Sequence, residues 1–233
     1  MLMEKQRIER ADVEFIMNSP VFQGFTGDIR EIMRIAHVGN AKRNDMIYMP
    51  DDPGSELYFL KVGRVKICKI TEDGREIILN LIKPGDIFGE MAVINEGPRE
   101  SFAEAQDNVV YYYIKRLDLV SLMKRRSEVA LRLARVIGDR RLEAERNMES
   151  FLYKGVRERL ALLLLKLSKD YGIRDARGKM LRIKITHQDL ANLIGSSRET
   201  VSLTLGDFRK EGVIDIDERK IIIKDERQLT KIS

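Results

Sequence analysis

The stretch ITHQDLANLIGSSRETVSLTLGDFRKEGVI, residues 185–214, leaves its part of the chain few ways to fold. Thr186 is placed to cap a helix whose apolar face is Leu190, Leu193 and Ile194. Ala191 is small enough for a second helix to cross closely, and Gly195 can take the left-handed conformation that ends the first. A second helix follows almost at once. Ser196 or Ser197 caps it, and Val201, Leu205 and Phe208 make its buried face. Two short helices joined by so brief a turn are a helix-turn-helix, the unit that offers its second helix to the major groove of DNA. GVIDIDERKIIIKD, residues 212–225, then reads as a two-stranded hairpin, so the unit is a winged helix.

On the second helix the exposed residues near the N-terminus are Arg198, Glu199 and Ser202. Arginine donates two parallel hydrogen bonds to guanine O6 and N7, and glutamate accepts from cytosine N4. A plainer reading stands beside this one: Ser196 and Glu199 fit a capping box, and Arg198 a solvated charge. The charge distribution favours DNA. The chain carries a net charge of +5, but residues 153–233 hold 18 Lys+Arg against 12 Asp+Glu, a net of +6, and residues 1–152 hold 24 against 25. A basic excess confined to the winged helix is the electrostatic footprint of a nucleic-acid-binding domain.

Upstream the texture differs. Residues 11–38 mix short amphipathic stretches with turn residues, which predicts one or two small helices. Residues 41–115 are short β-branched or aromatic runs (LYFLKVG, VKICKI, EIILNLI, VVYYYIK) punctuated by Pro53-Gly54, Asp73-Gly74 and Pro84-Gly85. They read as a compact antiparallel barrel or roll, with Asp73-Gly74 a tight hairpin whose two turn residues both take positive φ. Residues 117–167 turn helical. Ala130, Leu133, Ile137, Ala144 and Phe151 fall on one stripe, which packs either on the β-domain or on its twin in a second copy. The expected chain is α+β, with a roll over residues 1–125, a long central helix over 126–152 and the winged helix over 153–233.

Several classes of function are excluded. The longest apolar runs, such as LALLLL at residues 160–165, fall far short of the ~20 residues a membrane span needs, and MLMEKQRIER lacks the apolar core of a leader. A cytoplasmic protein with no membrane partner is expected. Cys68 is the single cysteine, which rules out an intramolecular disulfide or a four-cysteine cluster, and its strand context predicts a buried, inert thiol. His37, read as lying in a turn, and His187, at the start of the helix pair, leave little for a haem or a metal site. With no GxxxxGK[ST], no HExxH and no nucleophile beside a histidine, neither catalytic residues nor a metal centre is expected. A ligand-binding subunit acting through protein partners alone is disfavoured by the intact winged helix.

ITHQDLANLIGSSRETVSLTL resembles the helix-turn-helix of the Crp/Fnr transcription regulators, and KPGDIFGEMAVINEGPRES, residues 83–101, resembles the phosphate-binding cassette of their cyclic-nucleotide-type sensor domain. The resemblance spans nearly the whole chain in the order roll, long dimerisation helix, winged helix. It implies a homodimer joined along the central helix through Leu133, Ile137, Ala144, Met148 and Phe151. The dimer would bind palindromic double-stranded DNA with one recognition helix in each half, and act with RNA polymerase through the surface turn YGIRDARGKM, residues 171–180. Arg198 and Glu199 occupy the positions of the main base readers in the cyclic-AMP receptor, with Ser197 beside them, and Ser202 matches a reader in the fumarate and nitrate reduction regulator. Thr186, His187 and Gln188 fall where family members touch phosphates. Leu203 departs from an arginine frequent at its position.

The cassette departs more sharply. The resemblance implies backbone and ribose contacts from Gly89 and Glu90, and neutralisation of the cyclic phosphate by Arg99. The next residue is usually small, such as serine, but here it is Glu100, and Ser101 substitutes only if the loop shifts. A carboxylate about 4 Å from a phosphate costs on the order of 4 kcal/mol at an effective dielectric near 20. The central-helix positions that would contact adenine as threonine and serine fall on Ala144 and Glu145. The expectation is that Glu100 folds onto Arg99 in place of the phosphate, so that no cyclic nucleotide or other cofactor is required. The alternative is that Glu100 points to solvent and a nucleotide binds through Arg99.

Overall fold

The structure is a computed structural model that describes residues 9–218 and 220–233. The first eight residues, which hold most of the N-terminal stretch read above as lacking a leader core, lie outside the described residues. The chain divides into two compact units, residues 1–142 and 143–233.

The first unit opens with helices α1 (Arg10–Met17) and α2 (Ile29–Ile35). Strands β1 (Ala36–Ala41), β2 (Met46–Tyr48), β3 (Glu56–Val62), β4 (Val65–Ile70), β5 (Glu76–Ile82) and β6 (Ile87–Phe88) follow. A short helix α3 (Glu90–Asn95), then β7 (Phe102–Ala105), β8 (Val109–Lys115) and α4 (Arg116–Arg125) lead to α5 (Ser127–Tyr153), which continues into the second unit. The strands form two antiparallel sheets, ordered β1-β8-β3-β6 and β2-β7-β4-β5. The buried run Leu57 to Leu60 in β3 explains their packing. Leu57 and Phe59 join a core with Ile16, Ile32, Tyr112, Leu119 and Leu122, while Tyr58 and Leu60 join Tyr48, Val65 and Phe88 on the opposite face. A strand buried on both faces is continuously apolar, and each such side chain contributes roughly 1.5–3 kcal/mol.

Three expectations need correction here. The sheet region starts at Ala36, not near Ala41, and His37 lies in β1 opposite Tyr113, its ring stacked at 5.0 Å, rather than in a turn. AHVGNA has little strand character of its own; pairing with the aromatic β8, distant in the chain, makes it a strand. The β4–β5 connection is a five-residue loop, closed by hydrogen bonds from Thr71 N to Arg75 O and from Gly74 N to Thr71 O, both 2.9 Å. Gly74 alone has positive φ; Asp73 keeps an ordinary one, and its carboxylate accepts from the Thr71 hydroxyl.

The third correction concerns the helical stripe. The helical region is three helices, with breaks at Arg126 and at Lys154-Gly155, and α6 runs Val156–Tyr171. Leu133, expected between two copies, is 1% exposed inside its own unit beside Val129, with Val136 and Ile137 leaning on the same core. The start of α5 thus packs on the β-domain, because α1, α2 and α4 leave an apolar face there that must be covered. Ala144 is exposed, Met148 is 60% exposed, and half-exposed Phe151 rests against Gly195 and under the Arg159 guanidinium at 5.1 Å.

The second unit adds β9 (Gly172–Asp175), β10 (Gly178–Leu181), α7 (His187–Ile194), α8 (Arg198–Lys210), β11 (Ile214–Asp217), β12 (Lys220–Ile223) and α9 (Glu226–Ile232). Helix α6 packs on α7, α8 and α9 through buried Leu160, Leu164 and Leu167, and the sheet is ordered β11-β12-β10-β9. The segment expected as a surface turn is the β9–β10 hairpin, paired with the wing strand β12. From its tip Arg177 reaches Asp217 of β11 at 2.8 Å.

Replacing Leu133 with alanine is expected to cost about 2–5 kcal/mol of stability by urea denaturation, whereas Met148→Ala should stay within roughly 0.5 kcal/mol for the isolated protomer. A loss below about 1 kcal/mol for L133A would contradict its place in the core.

Candidate effector pocket and nucleic-acid interface

The cassette closes on an arginine. Gly89 precedes α3 with φ +77°, and a Cβ built there would stand 2.6 Å from Arg99 Nη1, so only glycine lets the guanidinium approach. The Arg99 side chain is 2% exposed. Nη1 donates to the Gly89 carbonyl at 2.6 Å and Nη2 to the Glu56 carbonyl at 2.7 Å. The guanidinium carbon lies 4.4 Å from the Tyr48 ring centre and 5.4 Å from that of Tyr58, and a Glu56 carboxylate oxygen is 4.0 Å away. Burial raises the pKa of both tyrosines, so neutral aromatic faces line the slot. A buried charge is tolerated only with such compensation, here from carbonyl dipoles, ring faces and one carboxylate.

Glu100 does not fold onto Arg99. Its carboxylate is 80% exposed and pairs with Lys69 Nζ at 2.9 Å, an arrangement worth about 0–1 kcal/mol. The physical reason is that two carbonyls and two rings already fill the slot, and a carboxylate that stays outside keeps its hydration. The terminal nitrogens of Arg99 are held instead by the Gly89 and Glu56 carbonyls. Glu90, 6% exposed, is also engaged: its carboxylate sits 2.6 Å from Arg140 Nη1 on α5, and Arg140 Nη2 donates to the Ile87 carbonyl. Ser101 hydrogen-bonds to Tyr48. Glu56, Tyr48, Tyr58 and Arg140 went unnoticed in the sequence, because they come from β3, β2 and α5 with no common motif. Ala144 and Glu145 are both exposed. One atom fits an anionic ligand: Arg99 Nε is buried with no hydrogen-bond partner, so an oxygen of a cyclic phosphate would satisfy it.

In the second unit, Thr186 caps α7 in a reciprocal box: its hydroxyl accepts from Asp189 N at 3.0 Å and its own N–H donates to Asp189 Oδ2 at 2.9 Å. Gly195 ends the helix at φ +59°. Ser197, not Ser196, caps α8 by accepting from Thr200 N at 3.1 Å, so Glu199 falls in the first turn and outside a capping box. Arg198 and Glu199 are both exposed. The Glu199 pKa is lowered by its own backbone N–H, then by Ser197 and Arg198, which keeps the carboxylate ionised at the N-terminus of α8. Ser202 is committed within the protein, at 2.8 Å from both the Arg198 carbonyl and His187 Nδ1. Gln188 is exposed and donates to Asn192 at 2.7 Å, and Leu203 is 72% exposed on α8.

Cys68 is buried in β4 with Sγ 3.7 Å from Glu76 Oε1. Burial, then the Glu76 charge, pushes its thiol far above the ordinary range. Among the described residues, no helix is long and apolar enough to cross a membrane, and no group of three or more His, Cys, Asp and Glu is placed to hold a metal ion.

Comparison with known proteins matches each unit to a described family. A cyclic nucleotide-binding domain matches residues 39–126, and a Crp-like helix-turn-helix domain matches residues 158–232. The chain is similar to the CRP-like cAMP-activated global transcriptional regulator of Mycobacterium tuberculosis, at 29% identity over 94% of this chain and 98% of that one. It is 32% identical to the cyclic AMP receptor protein of Thermus thermophilus, over 80% and 83% of the two chains. Its structure is similar to that of a CRP/FNR-family transcriptional regulator from Thermus thermophilus, with a TM-score of 0.70 and 30% identity over 84% and 97% of the two chains.

Arg99→Met should destabilise the first unit by about 1–3 kcal/mol for each carbonyl left unpaired, while Lys69→Ala changes stability by less than about 1 kcal/mol. Denaturant titration reads both. A thiol reagent should leave Cys68 unmodified in the native protein and label it fully after unfolding; rapid native labelling would contradict its burial.

Proposed function

We propose, from the premise that this chain belongs to the Crp/Fnr family of transcription regulators, that it binds a palindromic double-stranded DNA site as a homodimer and does so without cyclic AMP. DNA binding is supported by the Ser197-capped helix α8, whose first turn leaves Arg198 and Glu199 exposed above a packed core. Arg198 reads guanine, Glu199 leaves its own backbone N–H to accept from cytosine, and Leu203 meets a thymine methyl. Thr186, His187 and Gln188 face phosphates, and Ser197 presents the N-terminus of α8.

Residues 1–125 serve as the sensor roll, residues 126–152 as the dimerisation helix and residues 153–233 as the DNA-binding domain. With Leu133 turned inward, two copies meet through the exposed α5 face that carries Leu131, Leu142 and Leu152, with Met148 beside it. Leu131 and Leu142 are roughly three helical turns apart on one side, as a paired helix requires. The dimer places its two recognition helices on successive major-groove faces, ~34 Å apart. The β9–β10 hairpin is the surface for RNA polymerase, and the cytoplasm is where these partners meet.

The observation that carries independence from cyclic AMP is the closed Arg99 slot, in which both terminal nitrogens are already bonded and Glu90 is ion-paired. A second reading, activation by a cyclic nucleotide through Arg99, is favoured by the unpartnered Nε and by the cAMP-activated relative.

Selection from a random DNA pool with no ligand, at near-physiological salt, should enrich a palindrome with half-sites one helical turn apart. Arg198→Ala should then lose about 1–3 kcal/mol on that site and relax the preference at one base pair per half. Enrichment only after cyclic AMP is added, with calorimetry detecting tight binding, would end the first reading in favour of the second.

A further inference from the structure

We propose that the first unit holds a second ligand site, distinct from the Arg99 slot, which takes a small organic carboxylate with an aliphatic body on Arg116. The proposal concerns this unit alone and stands whether or not the DNA-binding reading does. A cavity of about 600 Å³ lies between the turn before β3, the turn after α3 and the junction of β8 with α4. That volume suits a small organic ligand. Its apolar lining comes from Pro53, Pro98 and Leu117, the last 78% exposed in the first turn of α4. An isolated β-bridge pairs Pro53 with Pro98, and the Arg116 N–H donates to the Ser55 carbonyl at 2.7 Å. The wall is therefore set by backbone and exists before any ligand arrives.

Arg116 is the polar end of this cavity. Its Nη2 lies 2.5 Å from Glu96 Oε1, while its Nε is buried with no hydrogen-bond partner. A buried donor left in that state is uncommon in a folded protein. A carboxylate laid side-on against a guanidinium accepts from Nε and Nη2 in parallel, and Glu96 engages the second alone. Glu96 is also loosely held. Its side chain is 66% exposed, and its backbone sits at φ +57°, in the left-handed region that disfavours a residue with a Cβ. It is a weak internal occupant that a better-fitting carboxylate displaces.

The other charges around the cavity agree with an anion. Exposed Lys115, directly before Arg116, lines it and adds a second cation. The opposing carboxylate is Glu56, which accepts from the Ser55 hydroxyl at 2.8 Å and the Tyr58 hydroxyl at 3.4 Å and lies 4.0 Å from Arg99. Its charge is already answered on that side. The Glu56 carbonyl accepts from Arg99, so the cavity and the Arg99 slot share this one residue of β3.

Titration of the isotope-labelled full-length protein with hexanoate, followed by the amide resonances of Gly54, Gly97 and Gly89, tests the proposal. Gly54 and Gly97 line the cavity and should shift to saturation, while Gly89, beside Arg99, moves less. Hexanamide lacks the charge and acetate lacks the aliphatic body, and each should bind at least roughly tenfold more weakly. Arg116→Lys keeps the charge, removes the fork and should weaken hexanoate roughly tenfold. Glu96→Gln removes the internal competitor and should tighten hexanoate by roughly threefold or more. Unchanged positions of the remaining amide resonances show that each variant is folded. Shifts confined to Gly89 put the probe in the Arg99 slot and overturn the proposal, as does the absence of any shift at millimolar hexanoate. Equal binding of hexanamide or acetate overturns the ligand class. A Glu96→Gln protein that binds hexanoate no more tightly than the wild type overturns the site on Arg116, and this arm decides even where Arg116→Lys fails to fold.

Discussion

A buried guanidinium organises the first unit. Arg99 stands almost out of contact with water, and a charge in that position is costly unless its surroundings are built to hold it. Three stretches of chain do so. The start of α3 supplies the Gly89 carbonyl, β3 supplies the Glu56 carbonyl, and Tyr48 and Tyr58 supply ring faces. Backbone bonds between Asp51, Asp52 and Arg99 lock its segment in register. Glu90, the residue after Gly89, then carries the connection to α5 through Arg140. Gly89 and Glu90, adjacent in the chain, thus tie the Arg99 slot to α5 within the first unit.

The second unit achieves its order by different means. Its helices are short, and short helices are marginal without caps and a shared core. Thr186 and Ser197 close the two N-termini, Gly195 turns the chain between them, and α6 buries both against one leucine face. The 2.8 Å contact between His187 Nδ1 and the Ser202 hydroxyl adds a polar tie between α7 and α8.

Much of this was legible from local pattern. Thr186, Gly195 and the apolar spacing of Val201, Leu205 and Phe208 were readable because caps, left-handed glycines and helical periodicity act within a few residues. The strands were readable as a group but not one by one, since β1 owes its state to β8. Glu100 and Leu133 were misplaced for a related reason. Sequence adjacency suggested that Glu100 would neutralise Arg99, but the compensating groups come from residues 56 and 89 and from Tyr48 on β2 and Tyr58 on β3. Helical periodicity identified Leu133 as apolar, but it does not say which apolar surface a stripe meets.

What the sequence by itself determined is the class of the chain: a β-rich half, a long helix and a basic winged helix with an arginine and a glutamate at the start of the second helix. These follow from short-range rules and from the distribution of charge. Only the tertiary structure decided which partners the polar groups take. Arg99 finds carbonyls in place of a carboxylate, Glu90 finds Arg140, and Ser202 turns inward to His187. The physical reason is that hydrogen-bond satisfaction in a folded protein is settled among groups brought together across the chain, at distances of about 3 Å that no spacing along the sequence encodes.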